Sequence, residues 1–160
     1  MSTAYFNIGS NKGDRRSFIE RAVALIELQW GHTAALSRYF ESDPWGYDSN
    51  NIFVNLGVSI DVGDDTPLQV LDKIMAIQHL ICGEPHRDAA GRYIDRFIDI
   101  DIIAIDQLEV NTPELTLPHP RMHLRPFVLQ PMAELAPNWV HPLLHQTPSQ
   151  LLTDLLSTHT

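Results

Sequence analysis

The chain has 160 residues, enough for one domain with its own core, and at 44% hydrophobic and 19% charged it is ordinary globular material. A formal net charge of −9 argues against general nucleic-acid binding and against attachment to anionic membranes. Cys82 is the only cysteine, which excludes an intrachain disulfide and a thiolate metal cluster; with no apolar run of membrane-spanning length and no signal-peptide layout at the N-terminus, the expected compartment is the cytoplasm.

Residues 3–8 read as a first strand, closed by the turn-forming Gly9-Ser10-Asn11. Asp14 suits the N-cap of a helix running to Trp30, with Phe18, Ile19, Ala22, Val23 and Ile26 at helical spacing and Gly31 just past its end. A second strand is expected over 33–41, then a loop at Asp43-Pro44-Trp45-Gly46, and a third strand from Ile52 to Ile60. Thr66-Pro67 opens a second helix whose apolar stripe is Val70, Leu71, Ile74, Ile77 and Ile81. Residues 84–95 are polar and contain Pro85 and Gly91, which predicts a loop.

From Phe97 onward the pattern is a strand again, Phe-Ile-Asp-Ile-Asp-Ile-Ile. Side chains alternate across a strand, so Asp99 and Asp101 share one face, about 6–7 Å apart along it. Ile98, Ile100 and Ile102 then face the core. Two carboxylates side by side repel, and burying them is costly unless a cation lies between. Hard oxygen ligands without cysteine suit Mg²⁺. The same pattern also fits a solvent-facing edge strand kept soluble by its charges, and an Asp-x-Asp alone does not separate the two.

The cations narrow the choice. Of nine arginines, Arg87, Arg92, Arg96, Arg121 and Arg125 fall between residues 87 and 125, while lysine occurs only at Lys12 and Lys73. Guanidinium groups grip phosphate by a bidentate fork, so this concentration points to an anion site on an otherwise acidic molecule. After the key strand, a hairpin through Asp106-Gln107 is expected, then irregular chain broken by Pro113, Pro118 and Pro120. A helix from Pro126 to Leu135 and another from Thr147-Pro148, with Leu151, Leu152 and Leu155 buried, complete the chain. The order β-α-β-β-α-β followed by helices predicts an α+β fold, a ferredoxin-like sandwich with a mostly antiparallel sheet, helices on one face and additional C-terminal helices, in a single domain over 1–160.

Several of these pieces together resemble the 6-hydroxymethyl-7,8-dihydropterin pyrophosphokinases: Ile8-Gly9-Ser10-Asn11, Phe53-x-Asn55, Arg96-x-x-Asp99-Ile-Asp101-Ile-Ile, Leu117-Pro118-His119-Pro120-Arg121-Met122 and Arg125-x-Phe127. The resemblance implies an ATP-dependent diphosphotransferase of folate biosynthesis, with ATP and the pterin alcohol as its small-molecule partners, acting as a monomer. It implies that Asp99 and Asp101 hold two Mg²⁺ ions with ATP, and that Arg92 and Arg96 share the catalytic work. Arg92, Arg96, His119 and Arg125 would contact phosphates, with Gln78, Tyr93, Ile102 and Thr116 nearer the nucleotide. Phe53 and Phe127 would sandwich the pterin, Asn55 would hydrogen-bond its edge, and Ser42, Asp43 and Trp45 would meet the same ring.

Simpler roles stand beside these. Phe53 and Phe127 also suit a core, His119 between two prolines also suits a loop brace, and Trp45 fits a loop surface as well as a lid. Asn55 is harder to explain structurally, because strands disfavour Asn and a buried amide needs partners. The chain departs from the family pattern where Tyr93-Ile94-Asp95-Arg96 replaces a Trp-Gly-Pro-Arg run, Gln78 replaces a Glu, and Pro120 follows His119 in place of a Tyr. Besides an active enzyme, two other readings fit: a non-catalytic pterin- or nucleotide-binding paralogue, and an interaction domain with an acidic face.

Overall fold

The computed structural model describes residues 1–42, 52–81 and 98–158. Strands β1 (Ser2–Ser10), β2 (Ala35–Ser42), β3 (Phe53–Gly63) and β4 (Asp99–Ile105) form one sheet in the order β2-β3-β1-β4, every neighbour antiparallel. Helix α1 (Arg15–Trp30) joins β1 to β2, and α2 (Pro67–Ile81) follows β3. This is the ferredoxin-like arrangement expected from the order of elements.

Local sequence explains the helix boundaries. Asp14 accepts a hydrogen bond from the Ser17 amide at 3.2 Å, and Gly31 ends α1 at φ 70°, a left-handed position that suits glycine. Helix α2 opens with a reciprocal cap: the Gln69 amide donates to Thr66 Oγ1 at 3.2 Å, and the Thr66 amide donates to Gln69 Oε1 at 2.8 Å. The same Thr-Pro-x-Gln device opens α4 (Pro148–Thr158), between Thr147 and Gln150 at 3.3 and 2.9 Å.

One face of the sheet carries Ala4, Phe6, Ile8, Ile100 and Ile102, packed under Ile19, Ala22 and Ile26 of α1 and Val70, Ile74 and Ile77 of α2. Helices therefore lie on one face as far as α1 and α2 are concerned. Helices α3 (Pro126–Leu135) and α4 cover the opposite face instead, with a second cluster of Ile103, Met122, Val128, Leu129, Met132, Trp139 and Leu151. A sheet with both faces covered reads as continuous rather than alternating apolar, and β3 is buried at every position from Phe53 to Val58. Gly57 is what admits α3: a Cβ there would lie 2.5 Å from Pro131 Cβ.

Strand β4 contains a bulge. Phe6 pairs with Ile102 and Tyr5 with Ala104, so Ile103 is the extra residue and turns toward the second core. The turn at Asp106-Gln107 forms, but the expected hairpin onto β4 does not: β5 (Val110–Asn111) pairs with β6 (Thr116–Leu117). The reason lies in Asp106, which exchanges hydrogen bonds with Thr3 of β1 at 3.0 and 2.9 Å and accepts from Trp139 Nε1 at 2.7 Å, steering the chain away.

Candidate active site

The antiparallel register places the candidate residues in rows across the second face. In one row Asp99 of β4 stands beside Gly9 of β1, Asn55 of β3 and Phe40 of β2. In the next, Asp101 stands beside Asn7 and Gly57. Gly9 leaves the floor between Asp99 and Asn55 without a side chain; a Cβ there would meet Asn55 Oδ1 at 3.0 Å and the Phe53 ring at 3.4 Å. The row thus sets the amide of Asn55 and the ring of Phe53 close over the Gly9 backbone, with the Asp99 carboxylate on its other side. A side chain in place of Gly9 would press on both Asn55 and Phe53.

Asn55 is buried and oriented by its neighbours: its Nδ2 donates to Ser42 Oγ at 2.8 Å. Phe53 is also buried but joins neither core cluster among the described residues, unlike an ordinary core aromatic. The N-terminal end of α3 brings a second ring and a cation. Arg125 Nη1 lies 3.7 Å from Asp101 Oδ2, and its guanidinium carbon is 5.7 Å from the centre of the Phe127 ring.

His119 stands on the loop after β6, tied to the bulge by its backbone N–H, which donates to the Ile103 carbonyl at 2.8 Å. Burial, then Arg125 and Arg121, push its pKa down to about 4, with Asp99 opposing. The imidazole is thus neutral at neutral pH. Its Nδ1 accepts from the Arg121 amide at 3.1 Å, so the proton is on Nε2, which is left to donate to an anion. Gln78 reaches from α2 to the segment between the aspartates, its Oε1 accepting from the Ile100 amide at 2.9 Å.

Asp99 and Asp101 are both partly exposed on one face of β4. Among the described residues no group of three or more His, Cys, Asp or Glu is gathered to cage a metal. Two carboxylates suit Mg²⁺, which is commonly held by one or two of them and completed by substrate phosphates and water. The donor set therefore fits a metal that is bound together with a nucleotide.

A family model described as 7,8-dihydro-6-hydroxymethylpterin-pyrophosphokinase (HPPK) matches residues 5–137. The chain belongs to this family. It is 38% identical over 143 residues to the 2-amino-4-hydroxy-6-hydroxymethyldihydropteridine pyrophosphokinase of Porphyromonas gingivalis, covering 89% of this chain and 95% of that one. To the enzyme of the same name from Bacillus subtilis it is 35% identical over 133 residues, covering 82% and 77%. Among solved structures, wild-type HPPK-DHPS of Plasmodium falciparum superimposes with a TM-score of 0.73 at 15% identity, a likeness of fold. The match covers 98% of this chain, which spans 45% of that one.

Of the residues expected in an HPPK site, the fold gathers Asp99, Asp101, His119, Arg125, Phe127, Phe53, Asn55 and Ser42 on or beside one face of the sheet, with Gln78 reaching β4 from α2. Ile102 is buried on the opposite face, within the core under α2. Thr116 is exposed in β6, three residues before His119. Asp43, Trp45, Arg92, Tyr93 and Arg96, and the loop over 84–95, lie outside the described residues. Asn7 went unassigned from sequence although it carries the signature of Asn55, an amide inside a strand.

Proposed function

We propose that this chain is an active pyrophosphokinase, transferring pyrophosphate from ATP to the hydroxymethyl oxygen of 6-hydroxymethyl-7,8-dihydropterin in folate biosynthesis. The observation that carries this reading is the single row in which Asp99, the bare floor at Gly9 and Asn55 lie side by side. That row sets the groups suited to a pterin, an amide and an aromatic ring, next to the carboxylate of Asp99. A protein that only binds pterin has no use for the aspartates, and an interaction surface has no use for a buried amide and ring beside them.

In the reaction the hydroxymethyl oxygen attacks the β-phosphorus, the bond from that phosphorus to the α,β-bridging oxygen breaks, AMP leaves, and the hydroxyl proton is lost to solvent. Phe127 and Phe53 stack on the two faces of the pterin, while Asn55, held by Ser42, meets its edge, with Asp43 and Trp45 at the same ring. Arg125 and the His119 Nε2–H hold phosphate oxygens, and Arg92 and Arg96 share that task. Gln78, Tyr93, Thr116 and Ile102 border the nucleotide. Asp99 and Asp101 would hold Mg²⁺, in two ions on this reading, and the metal when bound would supply positive charge to offset the negative charge of the transferring phosphates. The chain works as a single domain and a monomer in the cytoplasm; two core clusters on the two faces of one sheet support the single domain.

The test is AMP release from Mg-ATP with and without 6-hydroxymethyl-7,8-dihydropterin. Pterin-dependent AMP is expected. Pterin binding without AMP would transfer the chain to the non-catalytic reading.

A further inference from the structure

Helix α3 contains Pro131, which has no N–H. In an α-helix the carbonyl of residue 127 takes its hydrogen bond from the amide of residue 131. The Phe127 carbonyl is therefore left without its helical donor, at the buried side of α3 where Pro131 packs on Gly57. Asn7 supplies the missing bond: its Nδ2 donates to the Phe127 carbonyl at 2.9 Å across 120 residues of sequence. Asn7 is itself buried, at 4% exposure, in the middle of β1. The register sets it beside Asp101 on one side and beside Gly57, the contact of Pro131, on the other.

We infer that Asn7 is a positioning residue for substrate: by replacing the helix bond that Pro131 cannot make, it fixes Phe127 relative to Asp101. This rests on the pterin-stacking role of Phe127 proposed above. The distance between a ring stacked on Phe127 and anything bound at Asp101 is set by how α3 seats on β1 and β4. Most of that seating is apolar and non-directional. The bond from Asn7 is directional, and it acts on the backbone of the stacking residue itself. Loss of the donor leaves a buried carbonyl unsatisfied at the first turn of α3, which the helix relieves by shifting toward solvent.

Two variants and a double variant test it by calorimetry. One titration uses 6-hydroxymethyl-7,8-dihydropterin on protein saturated with Mg²⁺ and an ATP analogue bearing a methylene bridge between the α and β phosphates; the other uses that nucleotide analogue alone. Asn7→Leu keeps the side-chain size and removes the donor; pterin affinity should fall about tenfold, with nucleotide affinity changed less than about twofold. Pro131→Ala restores an N–H at residue 131, so the Asn7→Leu/Pro131→Ala double variant should bind pterin nearly as tightly as Pro131→Ala alone. A purely structural Asn7 would lower the melting temperature and leave the ratio of the two affinities unmoved. Unchanged pterin affinity in Asn7→Leu, equal loss of both ligands, or no recovery in the double variant overturns the inference. Wild-type protein that binds no pterin overturns the functional reading beneath it, and the inference with it.

Discussion

Arg125 and Asp101 face each other between α3 and β4 with Nη1 and Oδ2 3.7 Å apart, longer than a hydrogen bond. The guanidinium also lies beside the Phe127 ring. The guanidinium thus lies within reach of both a carboxylate and an aromatic ring, at the end of α3 that faces the aspartate strand.

The aspartates should therefore be dispensable for folding and indispensable for turnover. Asp99→Ala and Asp101→Ala should each lower kcat by about 10²–10³ or more, the scale of losing a group that stabilises transition-state charge. Circular dichroism and melting temperature should stay close to wild type, because either change also removes like-charge repulsion. Rates near wild type in both variants would sink the assignment of Asp99 and Asp101 as metal ligands.

Phe127→Ala should separate the two substrates. Stacking of aromatic rings contributes about 0.5–1.5 kcal/mol beyond area burial, so pterin affinity should fall roughly tenfold. Nucleotide affinity should move little. Parallel titrations that show equal losses would place the ring in the core rather than in the site.

His119 gives the protein a measurable acid sensitivity. The folded imidazole stays neutral down to about pH 4, whereas in the unfolded chain it takes up a proton near 6.5. Between those values the unfolded state binds more protons, so stability falls as pH drops through that window and is unaffected by this group above it. The slope attributable to His119 is at most about 1.4 kcal/mol per pH unit. Urea midpoints of the wild type should decline between neutral pH and about pH 5 more steeply than those of His119→Gln. Parallel declines would assign the effect to other groups, such as the buried His141, whose pKa burial also lowers.

Gly57→Ala tests the seating of α3 on the sheet. The new methyl would sit 2.5 Å from Pro131 Cβ, with Leu135 and the Ser37 hydroxyl also close, so the helix must move. Overpacking of this kind costs about 1–3 kcal/mol, a fall in Tm of several degrees for a chain of this length. An unchanged melting temperature would show that α3 yields without cost.

Much of this architecture is legible in local sequence. The Thr-Pro-x-Gln caps, Asp14 and Gly31 announce the helix ends through side-chain chemistry within four residues, and the alternation of Asp99 and Asp101 with isoleucines survives intact into β4. Illegible are the relationships between distant segments. Nothing near Gly57 signals that Pro131 will rest on it, and nothing near Asn7 signals that a carbonyl 120 residues away will lack a donor. The bulge at Ile103 is hidden for a similar reason: a run of isoleucines fits either register, and only the second core, supplied by α3 and α4, decides which way Ile103 turns. The placement of those helices on the second face depends on the same long-range packing.

One feature of β4 bears on how the molecule behaves in crowded solution. Among the described residues it is the last strand of its sheet, and it is rich in isoleucine, the composition that invites a strand from another chain to add on. Its outward amide at Ile100 is taken by the Gln78 side chain, and the carbonyl at Ile103 by the backbone of His119. The bulge further interrupts any regular template. The contacts that hold the aspartate strand in place thus also cap its open edge against aggregation.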